Sequence, residues 1–264
     1  MNPELEALVA EVCSSARYRA ISPAVVRTLA QGELAKRRSH KETLKAIKSK
    51  LHQVVGVFLD GKVEYAAALS ALAARRNDED LRHTCTKLMA AHASARERLP
   101  FLAPFYQRIF AQLGPVRRVL DLGCGLNPLA IPWMPLAADA VYHAYDVHGD
   151  LVQFLAAALP LLGVAGTARL SDLAQDVIDQ PADLALLLKL LPTLEQLDRT
   201  AGDRLLTRLN ARHIVVSFPI RSLGGREKGM RTTYETRFRH MIADRPWQVE
   251  RLEFPTELVF VVTT

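Results

Sequence analysis

The chain has 264 residues, of which 49% are hydrophobic, enough for one large or two modest hydrophobic cores. No apolar run reaches the roughly 18 residues of a membrane span, and the acidic first residues are not expected to form a secretory signal. Cys13, Cys85 and Cys124 have neither paired nor metal-type spacing, so we expect a reduced cytoplasmic protein without a metal site.

The net charge of +6 is concentrated in the first part of the chain. Residues 1–108 contain 18 Lys and Arg against 11 Asp and Glu, whereas residues 109–264 contain 16 against 17. A basic segment beside a nearly neutral one suggests a polyanion-docking domain joined to a catalytic domain. A solvated basic face would produce the same excess, so charge alone leaves both interpretations open. We predict two domains, 1–108 and 109–264.

Residues 1–108 show the pattern of an all-helical domain. Ser22-Pro23 is typical of an N-cap followed by proline at the first helical position, and Ser39 with Glu42 has capping-box spacing. Apolar residues at helical period then predict a core face over 44–58, and further helices are expected over 63–74 and 78–95. Basic residues form a separate stripe on and beside the helix that follows Ser39: Lys36, Arg37, Arg38, Lys41, Lys45, Lys48 and Lys50.

From about residue 115 the pattern changes to alternating strands and helices. Helices are expected over 151–162 and 194–209. The predicted strands are 116–121, 140–145, 167–171, 183–189, 212–218, 247–254 and 257–263. The last two are joined by a link too short for a parallel crossover, so they are expected to form an antiparallel pair. This layout predicts an α/β fold with a seven-stranded, Rossmann-like methyltransferase sheet.

Acidic and glycine residues follow the first three predicted strands. Gly123 and Gly125 form a turn after the first strand, Asp146 follows the second and Asp172 follows the third. Ligands of open α/β sheets gather at these strand ends, where an acid about 20 residues after the glycine turn accepts ribose hydroxyls. Asn127-Pro128 replaces the third glycine of the dinucleotide pattern, which favours a small adenosine-type cofactor over NAD. Each acid alone is also explained as a helix N-cap.

The fourth and fifth strand ends carry basic residues. Lys189 follows the fourth strand, where it either extends to the surface or reaches a phosphate. The segment 217–230 has the glycines and cations of a functional loop, and its candidate RNA contacts are Arg221, Arg226 and Lys228. Phe218 is a candidate for stacking on a flipped base, with burial in the core as the alternative.

Four segments resemble the aminoglycoside-resistance methyltransferases, which methylate a guanine N7 in the decoding site of 16S rRNA. They are His92-Ala-Ser-Ala-Arg-Glu-Arg98, Asp121-Leu-Gly-Cys-Gly-Leu-Asn-Pro128, Lys189-Leu-Leu-Pro192 and Ser217-Phe-Pro-Ile-Arg-Ser-Leu-Gly-Gly-Arg-Glu-Lys-Gly-Met230. The resemblance extends over nearly the whole chain. The segment 217–230 is long and specific, whereas the glycine turn is shared by many methyltransferases. Residues 164–180 differ most from the family pattern.

The resemblance implies S-adenosylmethionine as cofactor and S-adenosylhomocysteine as product. Arg98 would hold the methionine carboxylate, Gly123 would lie beside the methionine moiety, and Gly125 would also belong to the cofactor site. Asp146 would bind the ribose, Asp172 with Leu173 would hold the adenine, and Leu188 would line the pocket. The assembled small (30S) ribosomal subunit would be the partner of a monomeric enzyme. Its RNA would be contacted by Lys36, Arg37, Lys41, Lys45, Lys48, Phe218, Arg221, Arg226 and Lys228.

No catalytic base is expected, because guanine N7 carries an in-plane lone pair and no proton. Cys124 has no partner that would make it a methyl carrier, and we expect it to pack as a small residue. Two alternatives remain from the residues alone. One is a small-molecule methyltransferase with a helical lid, although aromatic residues make up only 6% of the chain. The other is a non-catalytic ribosome-assembly factor with a relict sheet.

Overall fold

The structure is a computed structural model, and it describes residues 2–36, 38–56, 63–220 and 229–264. Within these residues every element that precedes the sheet is helical. The α-helices are α1 Pro3–Cys13, α2 Pro23–Leu34, α3 His40–Leu51, α4 Tyr65–Ala73, α5 Asp78–Met89, α6 Ala93–Arg96, α7 Leu102–Phe110, α8 Gly149–Leu161, α9 Leu190–Leu197, α10 Ala201–Arg208 and α11 Met230–Met241. A π-helical turn, His52–Gly56, continues α3, and 3-10 helices span Leu99–Phe101 and Asn127–Trp133.

One seven-stranded sheet has the order β3-β2-β1-β4-β5-β7-β6. Its strands are β1 Arg118–Leu122, β2 Val141–Asp146, β3 Ala165–Leu170, β4 Ala182–Leu188, β5 Ala211–Pro219, β6 Gln248–Glu253 and β7 Glu257–Thr263. The first five are parallel, and β7 pairs antiparallel with both β5 and β6. The predicted mixed sheet with a closing antiparallel hairpin is confirmed. Its order puts the ends of β1, β2 and β4 side by side.

Of the helix boundaries predicted from local signals, one is confirmed and two are corrected. The Ser39–Glu42 capping box is present, but the Ser22 side chain makes no capping bond. Instead, the Ser22 backbone N–H donates to Val147 O at 2.8 Å, which ties the start of α2 to the sheet. The helix predicted over 194–209 is two helices, because the Asp198 side chain accepts the backbone N–H of Thr200 and interrupts the helical ladder.

Buried side chains form three hydrophobic clusters. One joins α1, α2, α3 and the π-helical turn. The second joins α4, α5 and α7 to one face of the sheet, and the third fills the opposite face beneath α9, α10 and α11. The domain boundary at residue 108 remains a prediction. Buried side chains of the described helices after residue 63 pack against the sheet, whereas those of α1–α3 pack mainly against one another.

Among the residues that the structure describes, no helix is both long enough and apolar enough to span a membrane.

Candidate functional site

A cleft of about 970 Å³, including its solvent-open part, lies at the carboxyl ends of β1, β2 and β4. Parallel strands bring their carboxyl ends to one edge of a sheet, which explains why residues far apart in sequence meet here. The cleft is lined by all seven residues predicted to bind the cofactor: Arg98, Gly123, Gly125, Asp146, Asp172, Leu173 and Leu188.

The glycine turn between β1 and the 3-10 helix adopts a left-handed backbone, with φ of 62° at Gly123 and 50° at Gly125. A Cβ at Gly123 would lie 2.6 Å from Leu190 Cδ1, and one at Gly125 would lie 3.0 Å from the ring of His92. Both positions therefore favour glycine by backbone conformation, and a Cβ at either one would also have to displace the neighbouring side chain. The turn thereby presents its backbone as one wall of the cleft.

Asp146, at the end of β2, fixes this turn and faces the cleft. Its Oδ2 accepts the backbone N–H of Gly125 at 2.8 Å, and its Oδ1 accepts those of Val147 and His148. Burial raises the pKa of Asp146, and these backbone hydrogen bonds oppose the rise. Two carboxylate oxygens have about four lone-pair positions, so the group retains capacity to accept a ligand hydroxyl.

Asp172, after β3, connects the cleft to the N-terminal helices. Its Oδ2 accepts the Thr28 hydroxyl of α2 at 2.9 Å, and its Oδ1 accepts the backbone N–H of Ala174. Burial raises the pKa of Asp172, whereas the hydrogen bond from Thr28 lowers it. Val54 and Val55 of the π-helical turn also line the cleft. The helices therefore form part of its wall.

Arg98 lies in the wall of the cleft and is almost fully buried. Its Nε and Nη2 each donate to Glu257 at 2.9 Å, and its Nη1 donates to Asn127 Oδ1 at 3.0 Å. Burial would lower the pKa of the guanidinium, but the Glu257 carboxylate raises it and retains the cation. These contacts use three of the five N–H groups of arginine, so two remain without a hydrogen-bond partner among the described residues.

Lys189 is buried and does not extend to the surface, which rejects one of its two predicted placements. Its Nζ lies 2.6 Å from Glu97 Oε2 and 3.6 Å from Glu257 Oε1. The residue has a left-handed φ of 58°, held by its N–H donating to Ser217 O. Glu97 and Glu257 therefore counter the charges of both buried cations in this wall.

A buried polar group supports the turn from below. Asn127 donates from Nδ2 to Asp121 Oδ2 at 3.0 Å and accepts at Oδ1 from Arg98 and Tyr106. The Tyr142 hydroxyl also donates to Asp121 Oδ2, at 2.7 Å. The asparagine that replaces the third glycine thus links β1 to Arg98. The only sequence signal for it was its place before Pro128, where the dinucleotide pattern has a third glycine.

The basic residues predicted to contact RNA divide into three sets. Lys41 and Lys45 are exposed and Lys48 is half-buried on α3, and none has an ionic partner among the described residues. Lys36 is exposed but pairs with Glu33 at 2.7 Å. Four predicted contacts lie outside the described residues: Arg37, Arg221, Arg226 and Lys228.

Phe218 is not positioned to stack on a base, which corrects its assignment as an RNA contact. It is buried, and its ring packs against Tyr234 at 5.0 Å, Phe238 at 5.8 Å and Phe260 at 6.1 Å. Strand alternation turns this side chain toward the core under α11. The alternative prediction, burial in the core, is the one that the structure confirms.

The cleft offers no activated nucleophile among the described residues. Cys124 is buried, and burial raises the pKa of its thiol well above the ordinary value, with Asp146 and Asp121 adding to the rise. It packs as a small residue, as expected. No group of three or more His, Cys, Asp or Glu side chains within the described ranges is arranged to bind a metal ion.

Comparison with known proteins identifies a ribosomal RNA methyltransferase family. Residues 14–261 match the family model for ribosomal RNA methyltransferase (FmrO). A 16S rRNA (guanine(1405)-N(7))-methyltransferase of Micromonospora echinospora is 41% identical over 95% of this chain and 93% of its own length. The protein of the same name from Serratia marcescens is 33% identical over 95% of each chain.

Solved structures agree over the full length. The 16S rRNA methyltransferase RmtF in complex with S-adenosyl-L-homocysteine has a TM-score of 0.85 and 33% identity, covering 100% of this chain and 99% of its own. The 16S rRNA methylase RmtB has a TM-score of 0.81 and 28% identity, covering 98% of each chain. The similarity therefore includes both the helices and the sheet.

Proposed function

This chain belongs to the ribosomal RNA methyltransferase (FmrO) family, and we propose that it transfers a methyl group from S-adenosylmethionine to N7 of a guanine in 16S rRNA. The observation that carries the proposal is that one cleft is lined by all seven residues predicted to bind the cofactor. The relatives named as 16S rRNA (guanine(1405)-N(7))-methyltransferases support the substrate and the atom. The RmtF complex supports the cofactor.

The polar groups of the cleft fit the two ends of S-adenosylmethionine. Arg98 has two N–H groups to offer the methionine carboxylate, and Asp146 retains capacity to accept a ribose hydroxyl. Asp172 is an acceptor for the adenine amine, while Leu173 and Leu188 supply apolar surface for the base. The individual roles of these residues are part of the proposal.

The residues are suited to a reaction that depends on positioning. S-adenosylmethionine supplies an electrophilic methyl group on a sulfonium. Guanine N7 needs no deprotonation, so this chain has only to orient the two reactants and exclude water. Orientation alone provides up to roughly 7–11 kcal/mol of barrier reduction in favourable cases. Buried Cys124, with its raised thiol pKa, is unsuited to carry the methyl group.

The basic helix α3 is the proposed docking surface for the small ribosomal subunit in the cytoplasm. Lys41 and Lys45 are exposed, Lys48 is half-buried, and none is neutralised by an acidic side chain among the described residues. Such cations release counterions from RNA phosphates, which makes affinity strongly salt-dependent. We further propose that the target is a guanine of the decoding region and that the enzyme acts as a monomer.

Resistance to aminoglycosides follows from the proposed product. Guanine N7 is a hydrogen-bond acceptor, and methylation removes that acceptor and leaves positive charge on the ring. Two unit charges about 4 Å apart repel by about 4 kcal/mol at an effective dielectric constant of about 20. A cationic drug bound beside the methylated base would therefore lose affinity.

A charge-reversal experiment tests the docking surface. We expect the combined Lys41→Glu, Lys45→Glu and Lys48→Glu variant to bind small subunits weakly while retaining affinity for S-adenosylhomocysteine. A control with equal charge change is Arg118→Glu, Arg208→Glu and Arg212→Glu, which are exposed residues near the amino ends of β1 and β5, opposite the cleft. Loss of cofactor affinity in the lysine variant, or equal loss of subunit binding in the control, would contradict the assignment.

A small-molecule methyltransferase with a helical lid is the second candidate, because Val54 and Val55 give the cleft an apolar wall from the helical region. This second candidate predicts that small-molecule methyl acceptors are methylated in the absence of small ribosomal subunits. The proposed function predicts methyl incorporation only when small subunits are present. A non-catalytic assembly factor would show neither incorporation nor calorimetric binding of S-adenosylmethionine.

A further inference from the structure

A buried carboxylate lies beneath the basic residues between α2 and α3. Glu33, in the last turn of α2, is 1% exposed, although acidic residues are rarely buried without partners. Its Oε1 lies 2.7 Å from Lys36 Nζ and 2.9 Å from Lys50 Nζ, and its Oε2 lies 3.0 Å from Arg38 Nη1. One carboxylate thus holds three basic side chains.

The three cations are anchored at one point and otherwise face solvent. The side chains of Lys36, Arg38 and Lys50 are 47%, 45% and 32% exposed. Each lysine gives one of its three N–H groups to Glu33, and Arg38 gives one of its five. Their other N–H groups are not used by described residues and are available to phosphate oxygens.

The charge balance of this group still favours a polyanion. Three cations and one carboxylate leave a local excess of two positive charges. Burial opposes ionisation of Glu33, but the hydrogen bonds from Lys36 and Lys50 prevail and lower its pKa. The group therefore carries net positive charge, and each of its three cations is held against one carboxylate, a contact that an isolated lysine lacks.

The same contacts connect two helices. Glu33 belongs to α2, Lys36 and Arg38 follow α2, and Lys50 belongs to α3, which also carries Lys41 and Lys45. We propose that Glu33 is a positioning residue that preorders Lys36, Arg38 and Lys50 for the phosphate backbone of the small-subunit RNA. This inference rests on the proposed function, and it concerns the fit of the surface rather than the methyl transfer.

Glu33→Gln separates positioning from simple charge. The variant is one unit more positive, so a surface acting only through its net charge would bind RNA more tightly. Positioning predicts the opposite, about tenfold weaker binding to small subunits. In wild type Glu33 already orders the three cations, whereas in the variant RNA binding itself must order them. Glu11→Gln is the matched control. It makes the same charge change at an exposed carboxylate, whose Oε2 lies 2.9 Å from His40 Nε2.

Binding is measured as Kd for purified small subunits and for heparin, across salt concentrations, with unfolding temperature and S-adenosylhomocysteine affinity as folding checks. We expect Glu33→Gln to bind heparin at least as tightly as wild type while losing affinity for subunits. Glu33→Asp keeps the charge but is too short to reach all three cations, so it should also lose subunit affinity. It provides the test if Glu33→Gln does not fold.

A final comparison uses a background that lacks the three cations: Lys36→Gln, Arg38→Gln and Lys50→Gln. If Glu33 acts through them, adding Glu33→Gln to this background leaves the subunit Kd unchanged. A Kd for Glu33→Gln or Glu33→Asp equal to wild type, or an undiminished Glu33→Gln effect in this background, would overturn the inference. Failure of wild type itself to bind subunits would refute the proposed function.

Discussion

Replacing Asp121 by asparagine tests the buried polar group under the glycine turn. The side chain is fully buried, and its Oδ2 accepts hydrogen bonds from Tyr142 at 2.7 Å and Asn127 at 3.0 Å. Its Oδ1 has no partner among the described residues. In Asp121→Asn, the amide oxygen of the new side chain can accept both of these bonds. The substitution therefore removes the negative charge while leaving the geometry in place.

The effect of this charge depends on pH in a defined direction. Burial raises the pKa of Asp121 from 3.8 to about 6. The folded state then binds more protons than the unfolded state between these values, so the contribution of Asp121 to the free energy of unfolding falls as pH rises. At about 1.36 kcal/mol per pH unit, the full change is about 3 kcal/mol, most of it between about pH 4 and pH 7.5.

Urea unfolding followed by circular dichroism from about pH 4 to pH 7.5 measures this change. We expect the free energy of unfolding of Asp121→Asn, minus that of wild type, to rise with pH by about 2–3 kcal/mol. The cost of the new amide N–H affects all pH values alike and cancels. Asp139→Asn, at an exposed carboxylate, is the control. A difference for Asp121→Asn that stays flat or falls with pH would refute the reasoning.

Three further substitutions test separate contacts. Asp146→Asn removes the charge of the carboxylate and places an amide donor against a backbone N–H. At about 1.5–3 kcal/mol for each hydrogen bond to a charged group, we expect roughly 10–100-fold weaker binding of S-adenosylhomocysteine in calorimetry. Unchanged affinity would argue against the ribose role. Thr28→Val removes the hydroxyl that donates to Asp172 and should lower the free energy of unfolding by about 1.5–3 kcal/mol. Thr28→Ser keeps the hydroxyl and should keep the wild-type stability. Equal losses of stability for the two variants in urea unfolding would contradict this. Phe218→Leu should cost about 1 kcal/mol of stability and leave the subunit Kd unchanged. A higher subunit Kd with intact cofactor affinity would instead support Phe218 as a residue that stacks on the base.

The sequence predicted the positions of Asp146 and Asp172 because the direction of parallel strands determines where their ends meet. Alternation of strands and helices identified the strands, and the short link before Glu257 identified the antiparallel closure. The capping box at Ser39 was equally local. Each of these features depends on a few neighbouring residues or on a rule of sheet topology, so one sequence is enough to predict it.

The contacts that define the walls of the cleft could not be predicted in this way. Arg98 and Glu257 are 159 residues apart, and Thr28 is 144 residues from Asp172. Their pairing depends on how α2, the 3-10 helices and β7 pack, which no local pattern encodes. Glu33 likewise looks like an ordinary acid in a basic segment until burial shows that it holds three cations.

The most direct test of the account is primer extension on 16S rRNA from small subunits incubated with this protein and S-adenosylmethionine, after chemical cleavage at N7-methylguanine. The account predicts a new stop at a single decoding-region guanine, absent without the cofactor and reduced with Asp146→Asn. Folded protein that binds S-adenosylhomocysteine but produces no stop on assembled subunits would contradict the central claim.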